Sequence, residues 1–65
     1  MIEFAINFKN LRIKNKFSVK YIANLLNVSP RTIYAWEKGK SYPYSDTLTK
    51  IVKLFNVACK DILGV

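Results

Sequence analysis

Residues 17–43, FSVKYIANLLNVSPRTIYAWEKGKSYP, constrain the fold more than any other part of the chain. A small residue (Ala23), a turn residue (Asn27) and the apolar Ile22, Leu26, Val28, Ile33 and Trp36 stand there at fixed offsets. That spacing suits two short helices crossing at a steep angle over a tight turn, with one face of the second left free. Ser18 can cap the first, over about residues 19–26, because its oxygen accepts from an amide that the helix leaves unpaired. Asn27 tolerates the left-handed backbone that ends a helix. Ser29 caps the second, where Pro30 at the first position has no amide to satisfy, and Gly39 suits its final turn.

The flanking segments also read as helices, and no segment shows the strict alternation of a half-buried strand. A first helix covers roughly residues 2–15. At about 100° per residue, Phe4, Phe8, Leu11 and Arg12 fall on one side of it, while Ile2, Ile6 and Ile13 cluster on the opposite side. Residues 40–44 form a loop containing Pro43. Ser45 or Asp46 starts a fourth helix, with Leu48, Ile51, Val52 and Phe55 at helical spacing and Asn56-Val57 closing it. A short last helix, about residues 59–63, adds Ile62 and Leu63 to the core. The expected architecture is all-α, a compact five-helix domain over residues 1–65.

With 65 residues there is room for one modest core, and a hydrophobic fraction of 51% favours folding over disorder. Eleven Lys/Arg against four Asp/Glu give a net charge of +7. That imbalance favours a polyanionic partner, nucleic acid above all; a basic surface kept for solubility is the plainer alternative. One cysteine, Cys59, and no histidine rule out an internal disulfide and a Cys/His zinc site, and no metal or cofactor is expected. The cysteine usage suits a reducing cytoplasm. The apolar first ten residues are interrupted by Glu3 and Asn7, with the positive charges following, so they do not read as a signal peptide. No stretch approaches the ~18–20 apolar residues of a membrane span.

The wheel of the third helix divides it into two faces. Ile33 and Trp36 point one way with Glu37 beside them; Arg31, Tyr34, Ala35 and Lys38 point the other way, within roughly 100° of arc. The face that cannot be core is therefore basic and aromatic where a groove-inserted helix presents side chains to base edges. This is a helix-turn-helix over about residues 18–39. Pro30, Arg31, Tyr34 and Ala35 are its candidates for base readout. Arg31 can donate two hydrogen bonds to guanine O6 and N7, or else pair with a phosphate or stay solvated. Tyr34 offers a ring for a thymine methyl and a hydroxyl; Ala35 is small enough for close approach. Around them stand phosphate-type groups: Ser18, Lys20, Ser29, Thr32, Lys38, Lys40, Ser41, Tyr42, Tyr44 and Ser45. Such groups set register on the duplex without reading sequence.

Two features lie outside that face. Arg12 and Glu37 both border core faces, and burying either charge unpaired is costly, so a salt bridge between the first and third helices is expected. The Ile2/Ile6/Ile13 stripe has no evident use inside so small a domain. It can serve homodimer contact, be covered by the chain's own termini, or meet a different partner. No catalytic constellation is present: there is no histidine, the acids are Glu3, Glu37, Asp46 and Asp61, and Gly39 and Gly64 are the sole glycines. An enzyme is not expected.

From about residue 8 to 64 the chain resembles the phage-repressor type of helix-turn-helix protein, the Cro/cI or XRE-like family. The resemblance is carried by Leu11-Arg12, Ile22-Ala23, Asn27-Val28-Ser29, Thr32-Ile33 and Trp36-Glu37-Lys38-Gly39 followed by Pro43. It continues through Asp46-Thr47-Leu48, Ile51, Phe55-Asn56-Val57 and Ile62-Leu63-Gly64. It implies a five-helix domain, dimeric binding to a palindromic operator, transcriptional control, and a cytoplasmic protein of prokaryotic or phage origin, nucleoid-associated when bound. The Arg12–Glu37 pair matches a salt bridge familiar in that family. Three positions depart from its pattern. Val19 replaces a frequent glutamine, removing a side-chain phosphate contact. Asn27 replaces the usual turn glycine. Ala58 stands where a Ser/Thr cap often precedes the last helix, so fraying is expected there.

Two functional readings follow. The first is a DNA-binding transcriptional regulator, a repressor acting as a homodimer with its third helix in the major groove. The second is a protein-interaction module, such as the antitoxin-like component of a toxin–antitoxin pair. A regulatory protein partner is compatible with both.

Overall fold

Two helices in this chain start where a serine side chain replaces a missing backbone partner. The structure, a computed structural model, describes residues 2–64, and the side chain of Ile2 lies outside the described residues. Five helices follow one another: α1 (Ile2–Lys14), α2 (Val19–Leu26), α3 (Pro30–Glu37), α4 (Ser45–Phe55) and α5 (Cys59–Leu63). There is no strand among the described residues. Ser18 Oγ accepts from the Tyr21 amide at 3.0 Å and caps α2. Ser29 Oγ does the same for α3, accepting from the Thr32 amide at 3.2 Å. Asn27 and Asn56 close α2 and α4 with φ of 58° and 56°, a backbone their short amide side chains tolerate.

Two boundaries differ slightly from the expected ones. α1 stops at Lys14 because the chain reverses through Lys16, whose amide bonds back to the Ile13 carbonyl at 2.9 Å. α3 stops at Glu37 with Lys38 as its cap, and Gly39 (φ 74°) makes the turn. There the Lys40 amide reaches the Ala35 carbonyl at 2.9 Å, a bond that satisfies an end carbonyl of the helix.

The core lies where α1, α2, α3 and α4 converge, and α5 seals its open end. Phe4, Phe8, Ile22, Ile33, Ile51 and Ile62 are fully buried. Phe8 is the hub. Its ring stacks on Phe4 at 5.5 Å and meets Trp36 and Phe55 edge-on at 5.7 and 6.0 Å. Each such side chain contributes roughly 1.5–3 kcal/mol of burial. Ala5 joins the expected α1 face, lying on its flank and buried.

The expected fraying of α5 meets three compensating ties. Ala58 has no side-chain oxygen to cap with, but Asp61 Oδ2 accepts from its amide at 3.2 Å. Across the domain, Asn7 Nδ2 donates to the carbonyls of Asp61 and Ile62 at 3.4 and 3.2 Å. Gly64 (φ 78°) lies so close to α1 that a Cβ there would sit 2.9 Å from Glu3 Cβ.

The same clasp corrects one reading of the isoleucine stripe. Ile6 and Ile13 are each 54% exposed, so among the described residues the C-terminal helix does not cover them. Rotation about α1 gives the reason: α5 packs along the Asn7 and Leu11 side, about 100–140° away from Ile6. The expectation for Ile2 falls outside the described side chains.

Candidate nucleic-acid interface

α3 is held by one face and open on the other. Ile33 is fully buried and Trp36 is nearly so, whereas Arg31, Tyr34 and Lys38 are exposed and Ala35 is half-buried beside them. The two faces expected from residue spacing are therefore the two that form. Helical periodicity settles this, since Ile33 and Trp36 can both reach the core only if Arg31, Tyr34 and Lys38 turn away from it.

The orientation of α3 is fixed by Arg12. Its Nε donates to Glu37 Oε2 at 2.6 Å and its Nη2 to Glu37 Oε1 at 3.2 Å, while Nη1 donates to the Phe17 carbonyl at 2.9 Å. One guanidinium thus joins α1, the last turn of α3 and the chain just before the Ser18 cap of α2. The side chains are only 14% and 6% exposed. The hydrogen bond to Glu37 raises the Arg12 pKa above its ordinary value, against burial, which works the other way. A planar fork matched to a carboxylate adds directional restraint that a lysine would not supply.

Two concavities flank the exposed ridge of α3, and Val28 lies at the edge of both. The first is lined by Ser18, Lys20, Tyr21, Asn24 and Pro30, bringing the start of α2 beside the start of α3. The second gathers Thr32, Ser41, Tyr42, Tyr44 and Thr47 around buried Pro43 and Trp36. Arg31, Tyr34, Ala35, Lys38 and Lys40 line neither; they belong to α3 and its C-terminal turn. The candidate base-reading residues, apart from Pro30, therefore stand on the open face of α3 beside two troughs that hold six of the candidate phosphate contacts.

Hydrogen bonding refines individual roles. Ser18 Oγ uses a lone pair for its cap, leaving its hydroxyl proton free to donate outward. Ser29 and Thr32 share a hydrogen bond between their hydroxyls at 3.1 Å, so only one of the two protons remains for an outside acceptor. Tyr44 is 84% exposed and α4 begins behind it without a side-chain cap; Ser45 is exposed in its first turn, and Asp46 Oδ1 takes the Thr47 amide at 2.9 Å. Tyr42 has a second occupation that its sequence context did not show. Its ring meets Phe4 edge-on at 5.0 Å, and burial, then the charge of Cys59, raises its hydroxyl pKa.

Five short helices, a capped α2–turn–α3 pair and an open, basic recognition face define a helix-turn-helix domain. Residues 5–63 match the family model described as "Helix-turn-helix domain", and the chain belongs to that family, in its XRE/Cro-like form, a family of DNA-binding regulators and not of enzymes. It is 33% identical over 54 residues to the HTH-type transcriptional regulator AnsR of Bacillus subtilis (strain 168), covering 83% of this chain and 47% of that protein. It is 34% identical over 63 residues to the HTH-type transcriptional activator BcrR of Enterococcus faecalis, covering 97% of this chain and 31% of that protein. Similarity extends to the cryptic phage CTXphi transcriptional repressor RstR of Vibrio cholerae, at 26% identity over 61 residues, 94% of this chain and 55% of that protein. The chain thus spans between about a third and just over half of these relatives. No solved structure gives a significant match. Among the described residues no helix is long and apolar enough to cross a membrane.

Proposed function

We propose that this chain binds double-stranded DNA sequence-specifically and regulates transcription, laying α3 in the major groove. The observation that carries the reading is the division of α3. Ile33, Trp36 and Glu37 anchor it from behind, while Arg31, Tyr34 and Lys38 stand in solvent. Arg31 reads a guanine, with Pro30, Tyr34 and Ala35 close to neighbouring base edges. Ser18, Lys20, Ser29, Thr32, Lys38, Lys40, Ser41, Tyr42, Tyr44 and Ser45 hold the backbone on either side. In this reading the protein is a cytoplasmic repressor, whose homodimer sets two α3 helices one DNA turn apart on a palindromic operator and excludes polymerase.

In-vitro selection of bound duplexes from a random pool tests this. Enrichment of a palindrome with half-sites centred about 10 bp apart is the expected result. Failure to enrich any sequence would overturn it. The exposed Ile6 and Ile13 favour one second reading, a protein-interaction module of the antitoxin-like kind. A non-enriching protein that binds another protein through this face would establish that alternative.

A further inference from the structure

Five described residues have positive φ: Asn27, Asn56, Gly39, Gly64 and Lys16. Four are types that accept this backbone readily, and Lys16, at 60°, is the exception. The end of α1 needs the conformation, because it lets the Lys16 amide reach the Ile13 carbonyl and the Phe17 amide reach the Arg12 carbonyl at 3.0 Å. It does not need a lysine. Glycine would adopt the same angle without crowding its own carbonyl.

Nor does the helix end use the ammonium. The Leu11 carbonyl is served by the backbone and side-chain amides of Asn15, at 3.0 and 2.7 Å, and the last turn already carries Arg12 and Lys14. Lys16 is exposed, and the ion pair found among the described residues is Arg12–Glu37. Its position has a direction, however. Asn15, Lys16, Phe17, Ser18 and Tyr21 line one shallow concavity. Ser18 and Tyr21 also line the trough that runs to Pro30 at the start of α3. Lys16 therefore stands at the outer end of a continuous track leading to the recognition helix.

We infer that Lys16 is a further DNA-backbone contact, a cation kept on a strained turn to grip a phosphate beyond the one facing Ser18. This rests on the DNA-binding reading above and extends its footprint toward α1. The contact reads no sequence. Its signature is therefore electrostatic: one neutralised phosphate contributes about 0.9 to the slope of log affinity against log salt on duplex DNA.

The test compares wild type with Lys16→Gly, Lys16→Arg and Lys60→Ala on a selected and on a scrambled duplex, titrated by fluorescence anisotropy across a salt series. Lys60, exposed on α5 and outside the candidate interface, controls for the loss of one net charge. Lys16→Gly is expected to melt no lower than wild type, to weaken both duplexes by the same factor, and to reduce the salt slope by about 0.9. Lys16→Arg and Lys60→Ala are expected to keep the wild-type slope. A Lys16→Gly slope equal to that of Lys60→Ala would overturn the inference while leaving DNA binding intact. A wild-type protein without salt-dependent DNA binding would overturn the underlying reading instead.

Discussion

Removing either partner of the Arg12–Glu37 pair is expected to cost this domain much of its stability, and removing both together is not. Glu37 is 6% exposed and Arg12 14%, so neither can recover its hydration by a small movement. Breaking a buried pair by deleting one partner costs about 3–5 kcal/mol. Glu37→Ala belongs near the lower end, about 3 kcal/mol, because Arg12 keeps the Phe17 carbonyl and some water. Arg12→Ala belongs near about 4 kcal/mol. It strands the Glu37 carboxylate, orphans that carbonyl and removes an aliphatic stem packed between helices. At roughly 0.05–0.15 kcal/mol per residue, 65 residues hold about 3–10 kcal/mol in total. Arg12→Ala can therefore leave the protein largely unfolded. The double variant Arg12→Met/Glu37→Leu, apolar at both ends, should lie within about 2 kcal/mol of wild type, since no charge is left buried alone and the Phe17 carbonyl is the one group that loses its partner. Urea unfolding followed by Trp36 fluorescence and far-ultraviolet circular dichroism measures all three, with equal denaturant slopes as the check on two-state behaviour. The reasoning fails if either single change costs under about 1 kcal/mol, or if the double variant loses the sum of the two.

Three smaller predictions address other parts of the molecule. Arg31→Ala should weaken operator binding by about 1–3 kcal/mol and relax preference at a single base position; equal weakening on operator and random DNA would mark Arg31 as a phosphate contact. Ile6→Lys should leave the melting curve nearly unchanged, as Ile6 is 54% exposed, and should shift sedimentation toward monomer; an unaltered sedimentation profile would exclude the stripe as the dimer contact. Gly64→Ala should lower the melting midpoint by roughly 4–8 °C for each kcal/mol lost, because it strains a φ of 78° and pushes a methyl against Glu3. An unchanged midpoint would mean that the end of α5 carries little of the fold's stability.

Much of this organisation was legible in the residues because it depends on near neighbours. Ser18 and Ser29 bond to amides three residues away, so their capping roles follow from local order. The division of α3 follows from the helical period alone. The Arg12–Glu37 bridge spans 25 residues but was still foreseeable, because each charge borders a core face and burying either one unpaired is costly. The Asn7 clasp was not. Its acceptors are backbone carbonyls 54 and 55 residues away, and a carbonyl carries no mark in the sequence. Tyr42 closing over Phe4 escaped because it depends on how the loop after α3 folds back onto α1; the Asp61 bond to the Ala58 amide is local, three residues apart, and lay within reach of the same near-neighbour reasoning. The left-handed Lys16 had no signal of its own, since lysine is common in turns and on surfaces alike.

The Asn7 clasp also has a consequence for how the protein is made. Asn7 leaves the ribosome 54 and 55 residues ahead of the carbonyls it holds, and the fully buried Ile62 is as late as they are. α2 and α3 are neighbours in the chain and can dock as soon as both are out. The pocket around Phe4 and Phe8 stays open to water until α5 arrives. A nascent chain in which α5 has not yet emerged would thus display an incomplete aromatic core, the kind of apolar exposure that chaperones and proteases engage. Docking of α5, more than formation of α3, is the step that closes the core, and nicking after residue 58 should return the domain to the unfolded pool.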